Sequence, residues 1–252
     1  MAPRPVKRPA PRSSSTSAVP LIHGRNAVLE AARAGRVVKV YQASGLGHDP
    51  RLDELARLTR IEVVATEKLD VIAPGVHQGV AAELKPRREW TLKDLLATNP
   101  SLLVALDSIM DPQNLGAILR SAEVAGAEGA IIPEHRSAPL SPAAVKASSG
   151  ASELLRISRV SGLPSAIPEI KRSGIWCVAL DPRGEMQAWE FDFTQRVCVV
   201  VGSEGEGVHR LVKERCDARV RLPVKGHIAS LNASAAAAAL LYEVTRQRAA
   251  NV

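Results

Sequence analysis

The chain has 252 residues and a net charge of +7; 46% of its residues are hydrophobic and only 3% aromatic. That is room for one or two domains with a core of Ala, Val, Leu and Ile, and a balance that suits a phosphate-bearing partner. No apolar run approaches the length of a membrane span, and Cys177, Cys198 and Cys216 stand singly without a C-x-x-C pair, so neither a membrane helix nor a zinc cluster or disulfide framework is expected.

Residues 1–20 carry five prolines, four basic residues (Arg4, Lys7, Arg8, Arg12) and no acid. They lack an apolar stretch of the kind a secretory signal needs, and the expectation is a disordered basic tail that touches RNA nonspecifically, in a cytoplasmic protein. Residues 21–85 form a small α/β unit. It has a helix over 24–35 closed by Gly35, a strand at 39–43, an amphipathic helix at 49–60, a strand at 61–66, a short helix at 68–73 and a strand at 79–84. Residues 86–100, opening on Pro86-Arg87-Arg88, read as a linker.

From residue 101 to 252 strand and helix patterns alternate. Strands are expected near 102–106, 129–132, 154–160, 175–180, 197–201 and 218–222, and helices near 115–125, 141–148, 163–173, 208–215 and 230–248. Such alternation implies an α/β domain with a mainly parallel sheet covered on both faces.

Three segments of this second domain carry chemistry. In the first, the apolar strand Leu102 to Leu106 runs into Asp111-Pro112, and Asn114 stands where a helix N-cap belongs, with the helix opening at Leu115. Side chains on a helix tilt toward its N-terminus. Arg120 is therefore expected to fold back over Gly116 and Ala117 toward the Asn114 loop, beyond the carboxyl end of a buried strand, where open α/β sheets bind ligands. The second segment, V-C-V-V-V-G-S-E-G-E-G-V from Val197, ends in a loop bearing Gly202, Gly205 and Gly207. Its G-x-x-G-x-G spacing is neither the dinucleotide fingerprint nor a P-loop. Glu204 and Glu206 within it would repel phosphates, so the ligand expected is one without a polyphosphate. In the third segment Ser230 and Asn232 stand at the mouth of a final helix, which either could cap, followed by the small, helix-forming run Ala235 to Ala239.

The chain resembles the SpoU-type RNA ribose 2'-O-methyltransferases of the SPOUT class. The family pattern N-x-G-x-x-x-R is matched by Asn114, Gly116 and Arg120. The Gly- and Glu-bearing loop is matched at 197–208, and the loop into the last helix by L-P-V-K-G-H-I-A-S-L-N-A-S from Leu222. The resemblance implies a trefoil-knotted SPOUT domain over 101–252, a homodimer formed through it, and S-adenosylmethionine as cofactor, held by main-chain atoms of Gly202, Leu222 and Leu231. It implies no metal. Catalysis falls to Arg120, Asn114, Glu204, Ser230 and Asn232. The opening I-H-G-R-N-A-V-L-E-A and the segment His77 to Ala82 resemble the ribosomal-protein-like RNA-binding domain of the 23S rRNA guanosine 2'-O-methyltransferases, with His23 and Arg25 as candidate RNA contacts.

A free hydroxyl is a poor nucleophile. An arginine rarely gives up its proton, so electrostatic stabilisation of a developing alkoxide is the role expected of Arg120. Transfer to tRNA is the nearest alternative, and a nonenzymatic RNA-binding assembly protein the next. A dinucleotide-dependent oxidoreductase lacks its fingerprint.

Overall fold

The computed structural model describes residues 20–227 and 230–250. The basic tail assigned to 1–20 lies outside the described residues except for Pro20.

The first unit comprises β1 (Leu21–His23), α1 (Arg25–Arg33), β2 (Val37–Ala43), α2 (Pro50–Leu58), β3 (Ile61–Val64), α3 (Thr66–Ile72) and β4 (Val80–Leu84). Its sheet order is β1-β4-β2-β3, with β4 antiparallel to β1 and β2, and β3 parallel to β2. Side chains alternate across a strand, and both faces of this sheet are covered. Val40, Val80 and Ala82 pack with Val28, Leu52 and Leu55 of α1 and α2, while Tyr41 and Ala81 pack with Leu69 of α3. Asp49 starts α2 by accepting the Arg51 backbone N–H at 2.9 Å, with Pro50 in the first turn. Gly35, at φ 65°, follows the end of α1 as the sequence indicates.

The second unit runs α4 (Leu92–Ala97), β5 (Leu102–Asp107), α5 (Pro112–Val124), β6 (Gly129–Pro133), α6 (Pro142–Ala147), α7 (Ala151–Leu154), β7 (Arg156–Val160), α8 (Leu163–Arg172), β8 (Trp176–Leu180), β9 (Met186–Gln187), β10 (Val197–Gly202), α9 (Arg210–Arg215), β11 (Ala218–Arg221) and α10 (Ala233–Ala249). All seven strands are parallel, in the order β7-β6-β5-β10-β8-β11-β9. Every residue of β5 and β10 is buried, because both faces are covered. Leu102, Val104 and Leu106 face α5 and α10, with Ile118, Leu240 and Val244. Leu103 and Ala105 face α4 and α8, with Leu95 and Ile167.

Four elements depart from the sequence reading. The segment 86–100 is not only a bridge, since α4 inserts Leu92, Leu95 and Leu96 into the second core. Helix α7 precedes β7, the two-residue β9 extends the sheet edge, and β1 pairs with β4. Each of these is short, and its pattern is set by a distant partner rather than by its own period.

The two units touch directly. Val145 of α6 joins the core of the first unit. Gly150, at φ 93°, admits α1 so closely that a Cβ there would lie 2.6 Å from Cβ of Glu30. Glu153 of α7, its side chain 1% exposed, sits between Arg36 and Arg87, the latter at 2.5 Å.

Candidate active site

β5, β10 and β8 end together, and the turns leaving them build the site. β5 and β10 pair in register up to Gly202 opposite Asp107. The turn after Gly202 doubles back onto it: Gly207 N–H donates to the Ser203 carbonyl at 3.0 Å, and Gly205 and Gly207 take φ values of 85° and 66°. A Cβ on Gly202 would meet the Gly207 carbonyl carbon at 2.0 Å and the Val208 nitrogen at 2.1 Å. Only glycine fits there, because the obstructing atoms are backbone.

Beside this turn lies a hollow of about 350 Å³, within the size range of small-molecule sites. Gly202, Glu204, Leu222, Ser230 and Leu231 all line it. Its walls are apolar at Val201, Leu222, Val224 and Leu231, and charged at Asp181, Arg183, Glu204 and Glu206. Asp181 is 4% exposed; it accepts from Lys213 at 2.8 Å and from the Arg183 backbone N–H at 3.0 Å. Burial opposes its ionisation, but Lys213 and that N–H hold its carboxyl below the ordinary value. The carboxylates outnumber the one arginine of the lining. The hollow therefore favours a cationic, partly apolar ligand over a polyphosphate, as the glutamates of the turn already indicate in the sequence.

Asn232 caps α10, accepting from the backbone N–H of Ser234 at 2.9 Å and of Ala235 at 3.3 Å. Its amide donates to Asn114 at 2.9 Å and to Glu204. Asn114, Glu204 and Asn232, from the three sequence segments, thus meet in one hydrogen-bonded cluster. Ser230 does not cap the helix; its place is in the wall of the hollow.

Two local expectations are corrected. The cap of α5 is Asp111, not Asn114: its carboxylate accepts from the backbone N–H groups of Gln113 and Asn114 at 3.1 Å, and the helix opens at Pro112. An aspartate before proline outcompetes an asparagine inside the first turn, and this leaves the Asn114 side chain free to meet Asn232. Arg120 does not fold back toward Asn114. Its guanidinium donates to Ser149 Oγ at 3.0 Å, beyond the end of α6, and it lines neither the hollow nor the adjoining cleft. Gly116 is bare for another reason, since a Cβ there would lie 2.4 Å from the Ala144 carbonyl oxygen and 2.5 Å from Cβ of Ala147. α6 occupies the path across Gly116.

The sequence reading missed Asp107 and His209. Asp107, 6% exposed at the end of β5, accepts from the His209 backbone N–H at 2.7 Å and lies 3.1 Å from its Nδ1. An acid at the carboxyl end of a buried strand was the available signal. Of the candidate RNA contacts, Arg25 is engaged internally, at 2.5 Å from Asp49 and 3.0 Å from the Gln78 carbonyl. His23 lies at the junction of the units, its basicity lowered by burial and then by Lys146. Cys177 and Cys198 are buried and Cys216 is half-buried.

Residues 101–242 match the SpoU rRNA methylase family, and residues 21–90 match the RNA 2'-O ribose methyltransferase substrate-binding family. The 23S rRNA (guanosine-2'-O-)-methyltransferase RlmB of Pseudomonas syringae pv. tomato is 38% identical over 225 residues, covering 85% of this chain and 90% of that protein. RlmB of Pseudomonas putida is 37% identical over 223 residues, covering 84% and 90%. Among solved structures, the SpoU methyltransferase AviRb from Streptomyces viridochromogenes superposes with a TM-score of 0.77 at 29% identity, covering 92% of this chain and 90% of that one. The same enzyme in complex with the cofactor AdoMet superposes at 0.76. With the family matched across its parallel-sheet domain, and the substrate-binding family across the unit before it, the chain belongs to the SpoU family of RNA methylases.

Proposed function

We propose that the protein transfers the methyl group of S-adenosylmethionine to a ribose 2'-hydroxyl of RNA, at a guanosine of 23S rRNA, and works as a cytoplasmic homodimer. One observation carries this reading: Gly202, Leu222, Ser230 and Leu231 line a single hollow that adjoins the Asn114–Glu204–Asn232 cluster. The relatives named for 23S rRNA support the substrate, because this chain carries both of the matched units.

The hollow suits the cofactor. Gly202 lets the turn close tightly at the wall of the hollow, Leu222 and Leu231 offer apolar surface for an adenine, and the carboxylates suit a sulfonium and an ammonium. When bound, S-adenosylmethionine supplies an electrophilic methyl group. Asn232, fixed by its capping bonds, and Asn114 present amide groups where the ribose must enter. Glu204 holds the Asn232 amide in place, and Ser230 offers a hydroxyl at the rim.

Arg120 stabilises the developing alkoxide. It is exposed on α5, off its own protomer's cleft, and we assign its action to the cleft of the partner subunit. We also read the course of the chain from β10 to α10 as the trefoil knot of the family.

Mapping 2'-O-methyl marks in ribosomal and transfer RNA from a deletion strain tests the reading. Loss of one 23S guanosine mark is expected. Loss of a tRNA mark moves the substrate to tRNA, and an unchanged pattern leaves a nonenzymatic RNA-binding role.

A further inference from the structure

A cleft of about 590 Å³ adjoins the hollow, sharing Ser203, Glu204, Glu206 and Ala233 with it. Asn114 and His209 line it from one side, and Arg136, in the loop after β6, from another. That loop is anchored by its backbone, with the Ala138 N–H donating to the Ile109 carbonyl at 2.8 Å. Arg136 is exposed and takes a left-handed φ of 55°, a conformation that L side chains adopt infrequently.

The ionisable groups of this cleft are nearly all engaged. Asp111 caps α5, and Glu204 accepts from Asn232. His209 is flanked by Asp107 at 3.1 Å and Glu206 at 3.7 Å. Arg136 makes no hydrogen bond or ion pair among the described residues.

We propose that this cleft seats the nucleotide to be methylated and that Arg136 binds a phosphate beside the target ribose. The inference rests on the function proposed above and adds to it the place of the substrate's backbone. Three carboxylates would repel a phosphate over most of the cleft, so an anion has one favourable position, at the free guanidinium. A planar guanidinium fork matches two phosphate oxygens. The ribose of the same nucleotide then lies toward the Asn114–Asn232 pair.

The test uses the full chain, rRNA and S-adenosylmethionine over a series of salt concentrations. Arg136→Asn removes the charge with a residue that tolerates the left-handed conformation. The KM for RNA should rise about tenfold, the loss of one charge-assisted contact, with cofactor affinity by calorimetry unchanged. The slope of log(kcat/KM) against log salt should flatten by about one. Arg136→Lys should recover the slope but only part of the KM. A variant with the native KM and slope overturns the proposal. If the native protein transfers no methyl to RNA, the proposed function fails separately. Anisotropy of the labelled RNA then decides the phosphate contact, since equal salt slopes for native and Arg136→Asn binding overturn it.

Discussion

Asn232 donates its side-chain amide to the side-chain oxygen of Asn114 at 2.9 Å, although the two are 118 positions apart. The same side chain caps α10 through its oxygen. The two halves of this amide are separable. Asn232→Ala should lose the cap, lowering stability by about 1 kcal/mol, and also lose methyl transfer. Asn232→Asp keeps a capping oxygen but loses the donor and sets a carboxylate beside Glu204. It should keep the native helix signal in far-ultraviolet circular dichroism and lose at least roughly tenfold in transfer rate. Full activity in the aspartate variant would show that the cluster is structural only.

Gly202→Ala places a methyl group within 2.0 Å of backbone in the returning turn. Backbone on both sides leaves little room to yield. The turn should open at a cost of about 1–3 kcal/mol, and S-adenosylmethionine binding should disappear from calorimetry while far-ultraviolet circular dichroism stays native. Native cofactor affinity in this variant would exclude the turn from the cofactor site.

Glu153→Gln tests the junction of the two units. Burial, and then the neighbouring Arg36, push the Arg87 guanidinium down to about 10. Glu153 is the acid paired with both arginines. Removing its charge leaves two half-buried cations facing each other, and about 3–5 kcal/mol of stability should be lost in chemical denaturation. An unchanged midpoint would mean that water, not Glu153, satisfies the pair.

How much of this was readable in the chain follows from where each feature gets its information. The strands β5 and β10 and the helices α2 and α8 carry their own pattern of burial, so their places were evident. The meeting of Asn114, Glu204 and Asn232 was suggested by three motifs at the ends of elements in a parallel sheet. The direction of Arg120 was not readable, because α6 returns across Gly116 and no local pattern records that approach. Helix α4 was hidden because six residues give little periodicity, and Arg136 and His209 because single polar residues in loops look like solvated surface.

Asp49 should make the first unit acid-sensitive. The Arg51 side chain foremost, against the opposing effect of burial, and with help from the Arg51 backbone N–H and Arg25, holds its carboxyl far below the ordinary carboxylate range. A lowered folded value means that the contribution is complete above the ordinary carboxylate value of about 4 and is lost as pH falls toward the folded one. Asp49→Asn should therefore be less stable than the native chain at pH 7, with the gap closing below about pH 4. A gap independent of pH would assign the effect of Asp49 to helix capping alone.

The most direct measurement is incubation of the purified protein with 23S rRNA and methyl-labelled S-adenosylmethionine, followed by nucleoside analysis. Label is expected in 2'-O-methylguanosine, and none with Arg120→Ala, whose cofactor binding stays intact. Label on a base, or no transfer by the native protein, would contradict it.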